Sequence, residues 1–580
     1  MDLKALILIP ARGGSKGLPE KNLKEVGGIP LVGLAARLGR NVASQLDAAT
    51  RVICSTDDDA IASAAREWGA EIPFHRPAAL ASDTAKSIDV VLHALDALAD
   101  DDFDAVVLLQ PTSPLTAVED VLGALELHCL TRTSVVSVCP AEHPAAWQYT
   151  VGSDGTLVQV STGEIAHRRQ DVEVTYRLNG AVYVSSPKDI RKNRGFLGPA
   201  TRAYVMPGDR SIDIDSAWDL QIARAVVQSR SPEPVQLGNR LIGPGHPCFI
   251  IAEAGVNHNG ERDLALRLVD IAAQAGADAV KFQTFQAARL ATPEAPKADY
   301  QVRATGAEES QFEMLRRLEL SEELHHELMD ACKDRGILFL SSPFDEQSAD
   351  LLGKLRVAGY KIPSGEITNL PFLSHVARKG LPVILSTGMS TLDEVETAVR
   401  VINEVGNSDL VLLHCVSQYP ADPADVNLRA MATLREAFGV PVGFSDHTTG
   451  IEVPLVAVGL GAAVIEKHFT IDRTLPGPDH LASIDAEALA AMVQGIRKVE
   501  KTLGTGHKAP AMSERSTADV ARKSVVAARD IPSGTVLTME LLAVRRPGTG
   551  LPPTMIDSLL GRRANTNIPA GSLLTLEQLG

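Results

Sequence analysis

The middle of this 580-residue chain repeats one pattern eight times: a short apolar run, then apolar residues at helical spacing. Most repeats are about 20–30 residues long, as one β/α unit requires. The second is lengthened by an insertion near residues 287–323. Eight such units predict a (β/α)8 TIM barrel. Its strands are expected at Cys248–Ala254, Ala279–Thr284, Ile337–Ser342, Gly359–Pro363, Pro382–Thr387, Leu410–Ser417, Pro441–Ser445 and Ala463–His468.

The region before the barrel also alternates apolar runs with helical patterns, over residues 1–229. It predicts an α/β sandwich with a largely parallel sheet, whose ligands bind at the carboxyl ends of the strands. The Pro- and Ser-bearing segment Ser229–Pro234 marks its end. Its strands are expected at Lys4–Ala11, Arg51–Thr56, Ala105–Gln110 and Ser134–Cys139.

The last segment contains a short repeat, because Asp530–Thr538 (DIPSGTVLT) is echoed by Asn567–Thr575 (NIPAGSLLT). Two Pro–small–Gly turns between Val and Leu residues predict paired hairpins in a small β domain. Such a domain is expected to lean on the barrel or on another subunit. The predicted domains are therefore residues 1–230, 238–505 and 522–580.

Charge and composition exclude several classes of function. The formal net charge is −16, which disfavours nucleic acid or an anionic membrane as the main partner. The longest apolar stretch, Val453–Ile465, is too short to span a bilayer, and the N-terminus does not resemble a signal peptide. Six scattered cysteines suggest a reducing compartment rather than a disulfide framework or a zinc site. A cytoplasmic location is expected.

A basic, glycine-bearing loop follows the first strand, at Ala11–Asn22 (ARGGSKGLPEKN). Its paired glycines allow the backbone to approach a phosphate closely, while Arg12, Lys16 and Lys21 supply positive charge. The loop matches neither a Walker motif nor a dinucleotide-binding fingerprint. The alternative is an ordinary basic turn.

Two carboxylates stand two residues apart in Ser211–Ser216 (SIDIDS). On an extended segment, Asp213 and Asp215 can face the same way. Paired carboxylates with phosphate oxygens suit Mg²⁺. The alternative for Asp215 is the cap of a helix that begins at Ala217, and the two roles are compatible.

In this order, the segments ARGGSKGLPEKN, RPAALASDTA, LLQPTSPL, LNGAVY and SIDIDS resemble the CMP-sialic acid synthetases, which activate a nine-carbon acidic sugar with CTP. The resemblance covers residues 3–228. It implies Mg²⁺ at Asp213 and Asp215, with Arg12 and the lysines, Lys21 among them, stabilising phosphate charge. Thr116 and Leu178 depart from the family's usual arginine and proline. The implied CTP residues are Arg12, Ser15, Lys16, Lys21, Asn22, Arg76, Ser82 and Asp83, and the implied sugar residues are Gln110, Arg169, Gln170 and Asn179.

Polar residues cluster where the barrel strands end, which is the end that carries the active site in TIM barrels. Lys281 and Lys361 interrupt otherwise apolar strands and are unlike core residues. Two lysines with several serines favour a phosphate and carboxylate site over a structural ion pair. The cluster comprises Glu253, Lys281, Gln283, Ser341, Ser342, Lys361, Ser364, Glu366, Ser386, Ser417, Tyr419, Ser445, His447, Glu466 and His468.

Two histidines end the seventh and eighth strands. Because neighbouring strands lie about 4.8 Å apart, His447 and His468 could reach one ion. With no cysteine nearby, they indicate an open site for Mn²⁺ or another divalent metal, completed by water and substrate oxygens. A single histidine in such a place is more often a core residue, and His414 is assigned to that class.

The barrel resembles the sialic acid synthases through IAEAGVNHNG, KFQTF, SSPF, YKIPSGE, LSTGM, LHCVSQYP, FSDHT, EKHFT and PGPDH, over residues 238–505. The family condenses phosphoenolpyruvate with an N-acylated mannosamine. The resemblance implies that His447 and His468 hold the metal. It places Glu253, Glu466 and Asp479 on the sugar side, and Ser417 departs from relatives with Asn there. The implied phosphoenolpyruvate residues are Lys281, Lys361, Ser364, Ser386 and Ser445.

The terminal repeat resembles the antifreeze-like (SAF) domain that follows the barrel in that family. By this resemblance Arg546 enters the barrel of the partner subunit in a homodimer. The whole chain is then expected to make N-acetylneuraminate from N-acetylmannosamine and to activate it with CTP. Two alternatives stay open: the same reactions on 2,4-diacetamido-2,4,6-trideoxymannose, giving CMP-legionaminate, or one half without catalytic activity.

Overall fold

The computed structural model describes residues 3–15, 17–82, 84–160, 174–229, 232–298, 301–302, 305–306, 308–506 and 508–580. The chain forms two compact units, Met1–Glu500 and Lys501–Gly580. The first unit contains both the N-terminal sandwich and the barrel.

The N-terminal sandwich is built on a six-stranded sheet in the order β6-β4-β5-β3-β1-β2. Its strands are parallel except β5, which runs antiparallel to β3 and β4. The strands are β1 (Ala5–Pro10), β2 (Arg51–Ser55), β3 (Ala105–Leu109), β4 (Val135–Pro140), β5 (Tyr176–Ser185) and β6 (Arg202–Val205). The helices are α1 (Leu31–Ala43), α2 (Asp59–Glu67), α3 (Ser87–Ala97), α4 (Val118–Thr131), α5 (Pro187–Asn193) and α6 (Ala217–Ser229).

Glycines bring the loop after β1 close to its neighbours. A Cβ on Gly13 would lie 2.7 Å from an oxygen of Asp58, the residue that caps α2. A Cβ on Gly17 would lie 2.5 Å from the carbonyl oxygen of Asp215. The backbone carbonyl at Asp215 leaves no room for a Cβ on Gly17, so the loop lies directly against the SIDIDS segment.

The barrel contains the eight predicted parallel strands, in the order β9-β8-β7-β14-β13-β12-β11-β10. Since β7 pairs with both β8 and β14, the first and last strands lie side by side. The strands are β7 (Phe249–Gly255), β8 (Ala279–Thr284), β9 (Leu338–Pro343), β10 (Tyr360–Ile362), β11 (Val383–Ser386), β12 (Leu410–Cys415), β13 (Val442–Asp446) and β14 (Val464–His468). The TIM-barrel prediction is confirmed.

Amphipathic helices surround the strands. None of the helices in the described part of the chain is both long and apolar enough to cross a bilayer. The helices are α7 (Arg262–Ala275), α8 (Glu322–Arg335), α9 (Glu346–Lys354), α10 (Leu370–Ala377), α11 (Leu392–Glu404), α12 (Ala430–Phe438), α13 (Glu452–Gly459) and α14 (Ala486–Leu503). The described residues of the insertion after β8 include the short helices Ala287–Leu290 and Gln311–Arg316.

A hairpin before the first barrel strand closes the amino end of the barrel. Its strands, Val235–Leu237 and Arg240–Ile242, pair antiparallel. Their apolar side chains pack with Phe249, Ile251 and other residues inside the barrel. Burying this apolar surface stabilises the amino end and leaves the carboxyl end for polar chemistry.

Helix α1 of the sandwich packs against α11 of the barrel. The Glu396 carboxylate accepts hydrogen bonds from Arg40 and from Asn41, the latter at 3.2 Å, and lies 3.5 Å from Arg37. Glu396 is buried by this contact, and burial lowers the pKa of Arg37 while Glu396 opposes that shift. The ion pairs therefore hold the two domains together within the first unit.

In the second unit the two predicted repeats pair with each other. Ile531 and Ile568 exchange backbone hydrogen bonds of 2.9 Å, and both are buried. Gly534 and Gly571 occupy the left-handed region in the two turns, as the Pro–small–Gly pattern requires. A strand pair, β15 (Ser524–Ala527) and β16 (Leu542–Arg545), completes the small β fold.

Candidate active sites

The carboxyl ends of the barrel strands enclose a cavity of about 400 Å³. Residues predicted from separate strands meet there because parallel strands present their carboxyl ends at one face. The predicted residues that line the cavity are Glu253, Lys281, Gln283, Ser342, Lys361, Ser364, Ser386, Ser417, Tyr419, Ser445, His447, Glu466 and His468.

Two lysines and two glutamates form a buried charge cluster in this cavity. Lys281 Nζ lies 2.7 Å from Glu253 Oε2 and donates to Ser342 Oγ at 3.0 Å. Lys361 Nζ lies 3.3 Å from Glu466 Oε1, which also accepts a hydrogen bond from Ser445 at 2.8 Å. The four side chains are 6 % exposed or less. Buried charges are retained only where they are paired. Burial lowers the pKa of Lys281 but Glu253 and Glu466 outweigh it and raise that pKa, whereas burial lowers the pKa of Lys361 with Glu466 opposing the shift.

The two glutamates respond to this cluster in opposite ways. Burial raises the pKa of Glu253 to about 7, with Lys281 opposing the shift. Burial acts in the same sense on Glu466, but Lys281 and Lys361 outweigh it and lower the pKa of Glu466 to about 2. One carboxyl group can therefore exchange a proton near neutral pH, while the other stays ionised.

Hydroxyl groups converge on a glycine at the rim of the cavity. The Gly388 N–H donates to Ser364 Oγ at 2.9 Å. A Cβ on Gly388 would lie 2.8 Å from Ser364 Oγ and from Cys415 Sγ, and would also clash with Ser417. Ser386 Oγ is buried without a hydrogen-bond partner among the described residues. A buried, unpaired hydroxyl beside two ammonium groups fits a ligand with anionic oxygens.

The two predicted histidines lie close together at the ends of β13 and β14. The rings of His447 and His468 lie 5.6 Å apart, and Tyr419 packs 4.2 Å from His447. His447 Nδ1 is 2.6 Å from the Val416 carbonyl oxygen, which leaves Nε2 as the free lone pair. Burial lowers the pKa of both histidines, so both rings are neutral at pH 7. His468 Nδ1 is buried with no partner in the described structure.

The remaining predicted barrel residues lie outside the cavity lining. Asp479 is buried, and burial raises its pKa to about 6. Ser341 bonds Thr284 at 2.6 Å, and Glu366 accepts from Asn369 at 2.7 Å. His414 bonds the Val426 carbonyl at 2.7 Å, consistent with its assignment as a core residue.

The insertion after β8 supplies cavity residues that the sequence analysis did not identify. Gln301 and Gln311 line the cavity beside Leu290 and Leu315. The unusual length of the second β/α unit was the available signal, because long insertions at the carboxyl end of a barrel usually reach the site.

In the sandwich, Lys21 of the glycine-bearing loop contacts the segment that carries the two aspartates. Lys21 Nζ donates to the Ile214 carbonyl at 2.9 Å and to Asp215 Oδ1 at 3.1 Å. Asp213 is half-buried, burial raises its pKa, and its Oδ1 is buried without a partner among the described residues. Such an unpaired carboxylate oxygen fits a divalent cation.

The helix after this motif has a different cap from the one considered for Asp215. Ser216 Oγ accepts from the Asp219 N–H at 3.3 Å, and Asp219 Oδ2 accepts from the Ser216 N–H at 2.8 Å. Ser216 therefore caps α6. The Asp215 side chain instead pairs with Lys21 at 3.1 Å and is 79 % exposed, so it does not cap this helix.

Arginine residues extend this edge of the sheet. Arg12 donates to the Ala81 carbonyl at 3.4 Å, and Asn22 donates to the Arg12 carbonyl at 2.9 Å. Arg76 is buried against Ser55, and burial lowers its pKa. Ser82 is near the same edge and donates to the Ala79 carbonyl at 3.3 Å.

Asn179, which the resemblance places near the sugar, lies in a buried hydrogen-bond network. Its amide nitrogen donates to Ser211 at 2.9 Å, and its oxygen accepts from Ser137 at 2.6 Å. The side chain is thus occupied in a buried network that joins the strands to the SIDIDS segment. Gln110 follows β3, and its N–H donates to the Ala181 carbonyl at 3.4 Å. Lys16, Asp83, Arg169 and Gln170 lie outside the described residues.

Comparison with protein families gives three matches along the chain. Residues 6–199 match the cytidylyltransferase family model, residues 268–508 the NeuB family and residues 522–580 the SAF domain. Their order agrees with the predicted fusion.

Comparison with curated proteins gives relatives that match a little over half of the chain. An N,N'-diacetyllegionaminic acid synthase from Legionella pneumophila is 51% identical over 58% of this chain and 96% of the relative. A protein of the same name from Campylobacter jejuni is 46% identical over 56% of this chain and 98% of the relative. The human N-acetylneuraminate-9-phosphate synthase is 37% identical over 56% of this chain and 90% of the relative.

Proposed function

Because this chain belongs to the NeuB family and also carries a cytidylyltransferase and a SAF domain, we propose that it makes a nonulosonic acid and activates it. The barrel condenses phosphoenolpyruvate with an N-acylated mannosamine-type sugar and releases phosphate. The sandwich then joins the acid to CMP, with release of pyrophosphate from CTP. The observation that carries the proposal is the barrel cavity, where two lysines, two glutamates and two histidines meet.

Phosphoenolpyruvate fits the cationic side of the cavity. Lys281 and Lys361 provide the positive charge that its phosphate and carboxylate require. Ser364, Ser386 and Ser445 offer hydroxyl groups around them, with Ser342 positioning Lys281. The enol carbon then bonds to the aldehyde carbon of the open-chain sugar, and water replaces the departing phosphate.

The two glutamates take different roles because their pKa values differ. Glu253, with its pKa raised to about 7, can hold a proton and deliver it to the sugar oxygen as the aldehyde becomes an alcohol. Glu466 stays ionised and keeps the two lysines charged and in place. Asp479, Gln283, Ser417 and Tyr419 are assigned to the sugar side.

His447 and His468 are the proposed ligands of Mn²⁺ or another divalent cation. Both rings are neutral, and each retains a ring nitrogen without a partner in the described structure. Among the described residues, no three His, Cys, Asp or Glu side chains are arranged to hold one metal ion by themselves, so water and substrate would complete the coordination. When bound, the cation supplies Lewis-acid polarisation of the sugar aldehyde.

The sandwich holds CTP by charge and position. Arg12 and Lys21, together with Arg76, Asn22, Ser15 and Ser82, surround the proposed triphosphate. Lys16 and Asp83 extend this set in our proposal, and Gln110, Arg169, Gln170 and Asn179 are proposed to bind the sugar. Asp213 and Asp215 would hold Mg²⁺, which neutralises phosphate charge when bound. The anomeric hydroxyl of the acid attacks the α-phosphorus, and pyrophosphate leaves.

Two sugars are candidates. N-acetylmannosamine, giving N-acetylneuraminate, follows from the sequence resemblance. The relatives that are 51% and 46% identical bear the name of legionaminic acid synthases, whereas the human relative named for N-acetylneuraminate-9-phosphate is 37% identical. This difference favours 2,4-diacetamido-2,4,6-trideoxymannose, with CMP-legionaminate as the final product. A competition assay with both sugars, read by mass spectrometry, tests the choice.

We extend the proposal to a cytoplasmic homodimer in which Arg546 of each chain completes the barrel of its partner. Arg546 is exposed at the end of β16 in the second unit. A guanidinium offers a rigid fork of donors for a carboxylate or for sugar oxygens.

A further inference from the structure

A second buried ion pair lies directly behind the histidine pair, outside the catalytic cavity. Lys467 contacts Asp446, and their side chains are 1 % and 0 % exposed. Both residues are absent from the cavity lining, whereas Ser445, His447, Glu466 and His468 line it. Strand side chains alternate between faces, so the pair lies on the side of the ladder away from the cavity.

The pair joins the two strands on which the histidines sit. Asp446 and Lys467 are register partners on β13 and β14. Each is the residue immediately before a proposed metal ligand, His447 in one strand and His468 in the other. The ion pair therefore sets the separation of the two strand ends at positions adjacent in sequence to both histidines.

All charges and polar groups of this pair are satisfied. Lys467 Nζ also donates to the Thr448 carbonyl oxygen at 2.6 Å. Asp446 Oδ1 accepts from the Thr448 N–H at 2.9 Å and from its hydroxyl at 2.8 Å. The residues on both sides of His447 are thereby anchored to Lys467. His447 itself is fixed by its carbonyl, which accepts from the Ala421 N–H at 2.8 Å, and by its ring bond to Val416.

We propose that Lys467 and Asp446 are positioning residues that set the spacing of His447 and His468 for a divalent cation. The inference rests on the proposed metal site. A buried ion pair is a poor device for stability alone, because apolar residues of similar volume often serve as well. Holding two strand ends at one spacing requires a directional contact between them. The Lys467–Asp446 ion pair is such a contact, because each strand contributes one of its residues.

The test compares metal affinity with stability in the full-length chain freed of metal. Isothermal titration calorimetry measures Mn²⁺ binding by the wild type, Lys467→Met and Asp446→Asn, while Tm reports stability. We expect Kd for Mn²⁺ to rise about tenfold or more in each variant, the range seen when groups that orient metal ligands are removed.

A matched control lies at the opposite end of the barrel. Asp278 is 8 % exposed, accepts from the Ile250 N–H at 2.9 Å and pairs with Arg497 at 2.7 Å. Asp278→Asn should lower Tm and leave the Kd for Mn²⁺ unchanged. If the single variants do not fold, the double variant Asp446→Leu with Lys467→Met removes both charges, and it should fold yet bind Mn²⁺ more weakly.

A folded variant with the wild-type Kd for Mn²⁺ would overturn the positioning role while leaving the metal site intact. The positioning role would also be overturned if Asp278→Asn weakened Mn²⁺ binding as much as Lys467→Met does. Lost stability alone would then explain the weaker binding. If His447→Ala loses none of the Mn²⁺ binding measured in the wild type, the proposed metal site is wrong. The positioning role rests on that site and is then wrong as well.

Discussion

Two carboxyl groups in the barrel cavity carry opposite pKa shifts, and the cause is local. Glu253 faces one ammonium group closely, at 2.7 Å from Lys281, and its burial prevails. Glu466 lies near both lysines and also accepts a hydrogen bond from Ser445. These contacts stabilise its charged form and outweigh the effect of burial on its pKa. The two glutamates therefore differ in protonation because their surroundings differ, although their residue type is the same.

This difference predicts a pH dependence for the condensation. Since the pKa of Glu253 is raised to about 7, the group holds its proton below that pH and loses it above. If Glu253 donates a proton, kcat/KM for phosphate release from phosphoenolpyruvate should fall above about pH 7. Glu253→Gln should be slower and should lack this limb, because an amide does not titrate there.

Glu366→Gln is the matched control for that profile. Glu366 is half-buried near the same barrel end but does not line the cavity. Replacing the Glu366 carboxylate by an amide should leave the fall of kcat/KM above about pH 7 unchanged. Persistence of the limb in Glu253→Gln would assign it to another group.

The paired aspartates of the sandwich give a second prediction for single residues. Asp213→Asn and Asp215→Asn should each slow pyrophosphate release by about 100-fold, the scale of losing one strong stabiliser of transition-state charge. Phosphate release by the barrel should not change. Asp209→Asn, an exposed carboxylate near the same motif, should leave both rates near wild type. Near wild-type pyrophosphate release in Asp213→Asn would exclude it as a metal ligand.

Sequence patterns identify residue types better than they identify side-chain direction. Lys281 and Lys361 were predictable because a lysine within a buried apolar strand is costly unless it binds a charged partner. The hydrogen bonds of Asn179 with Ser137 and Ser211 were not predictable, because the position of a residue in a motif does not reveal its neighbours across the sheet. Gln301 and Gln311 lie in an insertion without periodicity, so the sequence indicated the insertion but not its contacts.

At the scale of elements, the loop after β11 shapes the cavity through one missing side chain. In Gly388→Ala the new methyl group would press on Ser364, Cys415 and Ser417. We expect KM for phosphoenolpyruvate to rise about tenfold, because displacing packed groups distorts a site before it unfolds a domain. Steady-state kinetics with the Tm as a check on folding measure this.

Gly365→Ala is the matched control, since a Cβ there meets no atom within 4 Å, although Gly365 lines the same cavity. Its KM should stay near wild type. Equal KM values for both variants would mean that close packing at Gly388 does not shape the phosphoenolpyruvate site.

The types and order of the barrel elements were predictable because few folds accommodate eight apolar runs at a regular spacing. The antiparallel strand β5 was not, since its residues are partly exposed and its pairing with β3 and β4 is not encoded locally. The hairpin at residues 235–242 was also missed, because three-residue strands carry too little periodicity to detect.

At the scale of the whole molecule, the two catalytic domains share one compact unit. The contact of Arg40 with Glu396 joins residues 356 positions apart, and nothing near either residue in the sequence indicates it. Surface charges on helices are common, so only the fold shows which of them meet.

The proposed dimer predicts complementation between inactive chains. Arg546→Ala and His447→Ala chains, each defective in condensation, should recover part of the activity when co-expressed. In a mixed dimer one barrel then has intact histidines from its own chain and an intact Arg546 from its partner. If confirmed mixed dimers stay inactive, Arg546 serves its own barrel or neither.

We propose that one chain makes a nonulosonic acid and activates it at two separate sites. The decisive measurement is mass spectrometry of the products formed from phosphoenolpyruvate, CTP and either candidate sugar, in the wild type and in His447→Ala. We expect a CMP-linked nine-carbon acid from the wild type. We expect none from His447→Ala unless the acid itself is supplied, which restores the product. Absence of the acid with both sugars, or a folded His447→Ala chain that cannot use supplied acid, would contradict the proposal.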